Sequence, residues 1–164
     1  MRTTLFVFGV FAVVEVFCGV ADNLLPPPTF LNGLNLTAVQ SFNSTAFSQN
    51  LSWNQKVEQL QQWASSQPPD IQTALSTWEQ NTVYNFTVLI AQADDAVINI
   101  SAMARTLYNQ IRAVAIDNTL SGFDQCSQIT SDITNFDQKA FNELEQSVPL
   151  VATVVASCSY GQEL

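Results

Sequence analysis

The chain contains no histidine. That removes Ser-His-Asp and Cys-His nucleophile systems, in which an imidazole moves the proton, and every histidine-ligated zinc or iron site. Glycine is scarce, and beyond the first 21 residues only Gly33, Gly122 and Gly161 occur. Isolated glycines cannot build a phosphate-cradling loop, which needs several close together so that backbone N–H groups can approach the anion. Basic residues are few beside acidic ones, 5 Lys and Arg against 14 Asp and Glu, for a formal net charge of −9. Nucleic acids and anionic membranes are both held by cations that neutralise phosphate, so neither is an expected partner. The acid excess reads as a solubility feature rather than a site. No catalytic apparatus is recognisable, and the chain is expected not to be an enzyme.

The N-terminus carries Met1 and Arg2 and then the apolar run Leu5-Phe6-Val7-Phe8-Gly9-Val10-Phe11-Ala12-Val13-Val14. A short basic start followed by such a stretch is the pattern of a secretory signal, and Gly19 and Ala21 supply small residues for a cut after Ala21. The alternative, a retained anchor, needs roughly 20 apolar residues, and Glu15 interrupts this run. The reading is a signal peptide over 1–21 and a secreted, extracellular product with no stable membrane insertion. Losing Arg2 and Glu15 together leaves the net charge unchanged at −9. The terminal Gly161-Gln162-Glu163-Leu164 lacks the basic residue and the Asp of an ER-retention address and reads as a frayed tail.

Of three cysteines, Cys18 falls within the leader, so Cys126 and Cys158 meet an oxidising compartment and are expected to pair. A bridge across their separation of 32 residues stabilises by roughly 3 to 4 kcal/mol in the chain-entropy model. The alternative is a pair of buried free thiols. Asn-x-Ser/Thr acceptors stand at Asn35, Asn43, Asn50, Asn85 and Asn99. Partial glycosylation is expected, because sequons inside helices often stay unmodified.

Apolar periodicity organises the rest. Pro26-Pro27-Pro28 is a stiff spacer within a Pro-rich segment over 22–36, and Phe30 and Leu31 look like anchors that dock it. Thr37 with Gln40, and Ser52 with Gln55, are capping-box pairs that predict helices near 37–49 and 53–66, the second stopped by Pro68-Pro69. From Asp70, taken as an N-cap, apolar residues from Ile71 to Ile111 recur every three or four positions, the α-helical period. One helix of that length would be about 60 Å long, so a break is expected, most naturally at Gln80–Thr87 among poor helix formers. A further helix runs from Phe123 to Leu144, and Leu150–Cys158 is continuously apolar, with Pro149 favouring helix over strand there. The expected fold is all-α, a compact bundle of five or six helices.

The segments Leu25-Pro26-Pro27-Pro28-Thr29-Phe30-Leu31, Ala46-Phe47, Asn50-Leu51-Ser52 and Gln59-Leu60-Gln61-Gln62-Trp63-Ala64 resemble the SXP/RAL family of nematode secreted proteins. The resemblance spans roughly residues 25–125, and the Pro-Thr-Phe segment and the tail after Pro149 depart from the family pattern. It implies a nematode origin, secretion, recognition by host antibodies in parasitic species, a fold likened to calmodulin-type helix pairs, and divalent-cation binding in some members. It assigns no catalytic residues. The chain then divides into the leader, the Pro-rich segment, a helical domain over 37–148 and an apolar C-terminal segment over 149–164.

Two features bear on the implied helix pairs. Ala46-Phe47, Leu51-Ser52 and Leu60 recur as Ala115-Ile116, Leu120-Ser121 and Ile129 at an offset of 69 (46 to 115, 51 to 120, 60 to 129), which reads either as a repeat of two helix–turn–helix units resembling EF-hand pairs or as the common pattern of any two amphipathic hairpins. Asp117, Thr119, Ser121 and Gly122 fall at positions 1, 3, 5 and 6 of an EF-hand-like loop, where Gly122 would supply the sharp turn. Position 12 is Gln128 instead of the bidentate Glu, and Asp124 occupies position 8. Mg²⁺ or Ca²⁺ is therefore expected to bind weakly if at all, centred on Asp117 and Asp124, the alternative being an ordinary capped turn.

Asp94 and Asp95 read as a solvated face, since helix neighbours point about 100° apart. Among Trp53, Trp63 and Trp78 the last two lie in apolar stripes and read as core. Val83, Val88, Ile90 and Ile98 stand off the main stripe, so their helix is expected to be contacted on more than one side, by burial or by a lined cavity or partner face. The function expected is that of a non-catalytic, antigen-type secreted nematode protein acting through an unknown host or nematode protein. The rivals are an extracellular carrier of small apolar ligands such as fatty acids, and an enzyme of unfamiliar type.

Overall fold

Five of the α-helices begin where a side chain satisfies backbone N–H groups that have no partner in the first turn. The computed structural model describes residues 26–160, so the leader with Cys18 and the tail over 161–164 lie outside the described residues. Seven helices occupy this span: α1 (Leu36–Ala46), α2 (Trp53–Ala64), α3 (Pro69–Ala96), α4 (Ala102–Ala115), α5 (Gly122–Thr134), α6 (Gln138–Ser147) and α7 (Pro149–Tyr160). The all-α bundle is as expected, with more helices than five or six because two long periodic stretches are each divided by a cap.

Ser52 forms the expected capping box with Gln55, each side chain bonding the other's backbone N–H. Before α1 the cap is Asn35, whose Oδ1 accepts from Ala38 N–H at 2.9 Å, and Thr37 lies inside the helix. Asp70 likewise sits in the first turn of α3, which starts with Pro69 at the position where a missing N–H costs nothing. The expected break at Gln80–Thr87 does not occur. There the Thr82 and Thr87 hydroxyls bond back to the carbonyls of Trp78 and Val83, and Thr82 is buried, so packing overrides weak propensity. The break comes instead at Ile100, which is extended, after which Ser101 caps α4 by accepting from Ala104 N–H. Similarly, Asp137 caps α6 and divides the helix expected over Phe123–Leu144.

Two half-cores result. Leu31, Phe42, Ala46, Leu60, Ala64, Leu75 and Trp78 form the first, with Phe30 set edge-on against Phe42 and Trp78 at 5.5 and 6.4 Å. Trp78 Nε1 donates to the Pro26 carbonyl at 2.7 Å, which docks the proline spacer as anticipated. Trp78 is a core residue, and Trp63 packs half-buried against that core and donates to the Ala38 carbonyl. The second half-core gathers Ala93, Leu107, Ile111, Ile129, Leu144, Val151 and Val154 from α3 to α7. The 28-residue α3, about 42 Å long, is the member common to both. Cys126 of α5 and Cys158 of α7 are disulfide-bonded, with Cα atoms 5.0 Å apart. Among the described residues no helix is long and apolar enough to cross a membrane.

Candidate functional site

The 69-residue offset has a physical counterpart. Ala46 and Ala115 end α1 and α4, Ser52 and Ser121 cap α2 and α5, and Leu60 and Ile129 are fully buried on the following helices. The two connecting loops lie side by side, joined by an antiparallel bridge between Ser52 and Ser121. Asn54 N–H donates to the Asn118 carbonyl at 3.2 Å and Phe123 N–H donates to the Gln49 carbonyl at 3.0 Å. Shifting one of these bonds by 69 residues at each end generates the other, so the loops are paired by a local two-fold relation.

Within the second loop, the Asp117 Oδ1 accepts from Thr119 N–H at 2.9 Å and from Thr119 Oγ1 at 2.6 Å. These bonds hold its carboxyl below the usual aspartate range. Ser121 Oγ donates to Asp124 Oδ2 at 2.6 Å while accepting from Asp124 N–H, a reciprocal cap at the start of α5. Gln125 Nε2 ties the loop to the Val114 and Asp117 carbonyls. The four candidate ligands thus form two separate hydrogen-bonded pairs, Asp117 with Thr119 in the loop and Ser121 with Asp124 at the start of α5. Helix α5 begins at Gly122, so the later positions of a twelve-residue EF-hand count are helical and Gln128 lies within α5. Gly122 is not the sharp turn expected of it, because Gly33 is the one glycine with positive φ among the described residues. No group of three or more His, Cys, Asp or Glu that could hold a metal ion occurs among the described residues.

Beside the paired loops a cleft of about 320 Å³ opens between α2, the middle of α3 and the end of α4. Trp53, Phe86, Ile90 and Leu120 supply apolar wall, and Lys56 and Arg112 also line it. Lys56 is 4% exposed. The cleft lies at the seam of the half-cores, where Thr82, Val83, Phe86 and Ile90 of α3 line it. The off-stripe residues are thereby explained differently from the burial reading. Val83 and Ile90 line the cleft, whereas Val83, Val88 and Ile98 are exposed at 52%, 36% and 63%.

Sequence patterning did not find the junction next to this cleft. Asp94 accepts from Tyr108 Oη at 2.7 Å, from Arg112 Nε at 2.8 Å and from Arg112 Nη2 at 3.1 Å, fastening α3 to α4. The Arg112 bond holds Asp94 below its usual range, and burial together with Asp94 drives the Tyr108 hydroxyl far up. Asp95 is exposed, as a solvated face requires, so the two adjacent carboxylates have different environments. Of the tryptophans only Trp53 reaches the cleft. The sequons Asn35, Asn43, Asn50, Asn85 and Asn99 are all exposed.

Residues 1–150 match the family described as SXP/RAL-2 family protein Ani s 5-like, metal-binding domain. The SXP/RAL-2 family protein Ani s 5 of Anisakis simplex is 22% identical over 141 residues, covering 83% of this chain and 93% of that protein. No solved structure matches the chain. With nearly the whole helical region inside the family match, the chain belongs to the SXP/RAL-2 family, Ani s 5-like.

Proposed function

We propose that this chain is a secreted, non-catalytic nematode protein of antigen type, which works by binding a partner at the boundary with a host or the environment and binds Mg²⁺ or Ca²⁺ weakly. The observation that carries the reading is the family match, whose description names a metal-binding domain. The cation is assigned to the oxygens of Asp117, Thr119, Ser121 and Asp124, because two carboxylates and two hydroxyls stand close in sequence on the α4–α5 loop and the first turn of α5. Two carboxylates without a bidentate Glu give poor affinity, in about the millimolar range. Isothermal titration of Mg²⁺ and Ca²⁺ into the purified chain tests this. Millimolar binding lost in Asp117→Ala is the expected result, and submicromolar calcium binding overturns it.

The leader over 1–21 is proposed to be removed, so that N-terminal sequencing of the exported protein starts at Asp22 in the Pro-rich segment ahead of the helical domain over 37–148. Its five exposed sequons are proposed glycan sites, read out by the mass lost on enzymatic deglycosylation. Family-level partner binding fits a host or nematode protein. The cleft favours a second reading, an extracellular carrier of small apolar ligands such as fatty acids. Organic extraction of protein purified from its source, followed by mass spectrometry, separates the two readings. Finding no lipid sinks the carrier.

A further inference from the structure

We infer that N-linked glycans cover the apolar side chains that the fold leaves exposed in its uncharged stretches, the glycan on Asn85 lying over Tyr84 and Val88 of α3 and those on Asn35 and Asn99 over Leu36 and Ile98. The inference deepens the proposal that the sequons are glycan sites and rests on it, independently of any ligand in the cleft or cation at Asp117.

Three features coincide along the chain. All five sequons fall in stretches without a single Asp, Glu, Lys or Arg: Asn35, Asn43 and Asn50 in 23–55, Asn85 in 80–93 and Asn99 in 96–104. The same stretches hold most of the large apolar side chains left exposed. Leu36 (71%) is in the first, Val83, Tyr84 (67%) and Val88 in the second, and Ile98 (63%) and Met103 in the third, with Ile116 and Phe123 elsewhere among the described residues. Even Phe123 donates its backbone N–H to the carbonyl of Gln49, next to Asn50. Residues 105–145, by contrast, carry charge at short intervals and no sequon. Apolar side chains scattered singly among charges need no cover, but an apolar patch with no charge around it favours association. A hydrated oligosaccharide rooted beside each patch supplies the missing solubility.

Helix geometry sets the cover on α3. Tyr84 and Val88 are i, i+4 neighbours and Asn85 and Val88 are i, i+3 neighbours, so Asn85 roots its glycan at the edge of one exposed patch. Asn35 directly precedes Leu36, and its Oδ1 accepts from Ala38 N–H at 2.9 Å, so linkage through the amide nitrogen leaves the α1 cap intact. Asn99 follows Ile98 in the short turn Val97–Asn99, at the break between α3 and α4. The donor is a polyprenyl-diphosphate oligosaccharide. The Asn amide nitrogen bonds to its anomeric carbon as the bond from that carbon to the diphosphate oxygen breaks, the diphosphate leaves and the nitrogen gives up a proton. In the folded chain Thr87 Oγ1 donates to the Val83 carbonyl and Ser101 Oγ accepts from Ala104 N–H, so the hydroxyls of these two sequons are engaged and transfer belongs to export, before α3 and α4 form.

The test uses the full chain with its leader, secreted from cultured insect cells. Glycopeptide mass spectrometry is expected to find Asn35, Asn85 and Asn99 occupied. Asn85→Gln, which keeps an amide at that exposed position, is then compared with wild type by the emission of the neutral apolar dye Nile red. Loss of this glycan should raise the emission about two-fold or more, because the patch at Tyr84 and Val88 becomes accessible. Adding Tyr84→Lys and Val88→Lys to Asn85→Gln should return the signal to the wild-type level, and should restore secretion if Asn85→Gln alone is retained in the cells. A role in folding that did not involve the patch would not be reversed by those lysines. Emission unchanged in Asn85→Gln, or a rise that the lysines do not reverse, overturns the cover while the glycan reading stands. Any one of the three sites found bare in the exported protein overturns the cover at its patch, and all five found bare overturn the glycan reading as well.

Discussion

Asp94 and Glu79 are carboxylates on the same helix in opposite environments, and their effects on stability have opposite signs. Asp94 is held below its ordinary value of 3.8, chiefly by its bond from Arg112. A lowered acid stabilises the fold above its ordinary value, and that contribution is lost as pH falls through the folded value. The two side chains are 34% and 42% exposed, so solvent screens the pair. Asp94→Asn is expected to cost only about 0.5 to 1 kcal/mol at neutral pH, with no difference from wild type well below pH 3.8. Urea unfolding at the two pH values measures it. Glu79 has one carboxylate oxygen buried without a partner among the described residues, and burial raises its pKa above 4.5 despite a bond from Gln61. A raised acid costs nothing below its ordinary value and its full penalty above the folded one. Glu79→Gln should therefore gain on the order of 1 kcal/mol at neutral pH, with the gain vanishing as pH falls below 4.5. A variant less stable than wild type at neutral pH would contradict this.

At the scale of elements, caps decide where helices stop and start, and single side chains carry that decision. Ser101 accepts from Ala104 N–H, and its own N–H donates to Glu143 Oε1 at 2.8 Å, which joins the α3–α4 break to α6. The Ser101 hydroxyl first, and then this N–H bond, lower the Glu143 pKa. Ser101→Ala is expected to cost about 1 kcal/mol, read from the midpoint of chemical denaturation in protein made without glycans, whereas Ser101→Asn, a neutral cap beside the Glu143 carboxylate, should retain most of the stability. No shift in the alanine variant would mean that packing alone sets the break. The Ser52–Gln55 box and the proline opening α7 could be read in advance, because each is a local device acting within one turn. Asn35 and Asp137 are equally local, but the Thr37–Gln40 pair draws the expected start past Asn35, and periodicity runs past Asp137. The Gln80–Thr87 stretch misleads in the other direction. Its threonines satisfy their hydroxyls on the preceding turn and Thr82 is buried, so contacts from elsewhere hold a helix that propensity disfavours.

At the scale of the molecule, the disulfide holds α7 against α5 while Val151 and Val154 complete the second half-core. Replacing both Cys126 and Cys158 with alanine is expected to cost roughly 2 to 4 kcal/mol, visible as a fall in the unfolding midpoint that reductant reproduces in the wild-type chain and not in the variant. Equal midpoints would show the bridge to be energetically idle. The sequence by itself determined the all-α class, the amphipathic faces, the disulfide pair and the docking of Phe30 and Leu31, since each follows from periodicity, composition or local chemistry. It also carried the 69-residue offset, but as a pattern that any two hairpins could share. Only the tertiary structure decided that the two loops pair back to back through Ser52 and Ser121, because a bridge across that distance in sequence depends on how both hairpins pack on α3. It alone brought Asp94 to Tyr108 and Arg112, and gathered Lys56, Phe86, Ile90 and Arg112 from three helices around one cleft. The physical reason is common to these cases: periodicity tells which face of a helix is buried, while the partner that buries it, and the space left over, depend on all the other helices at once.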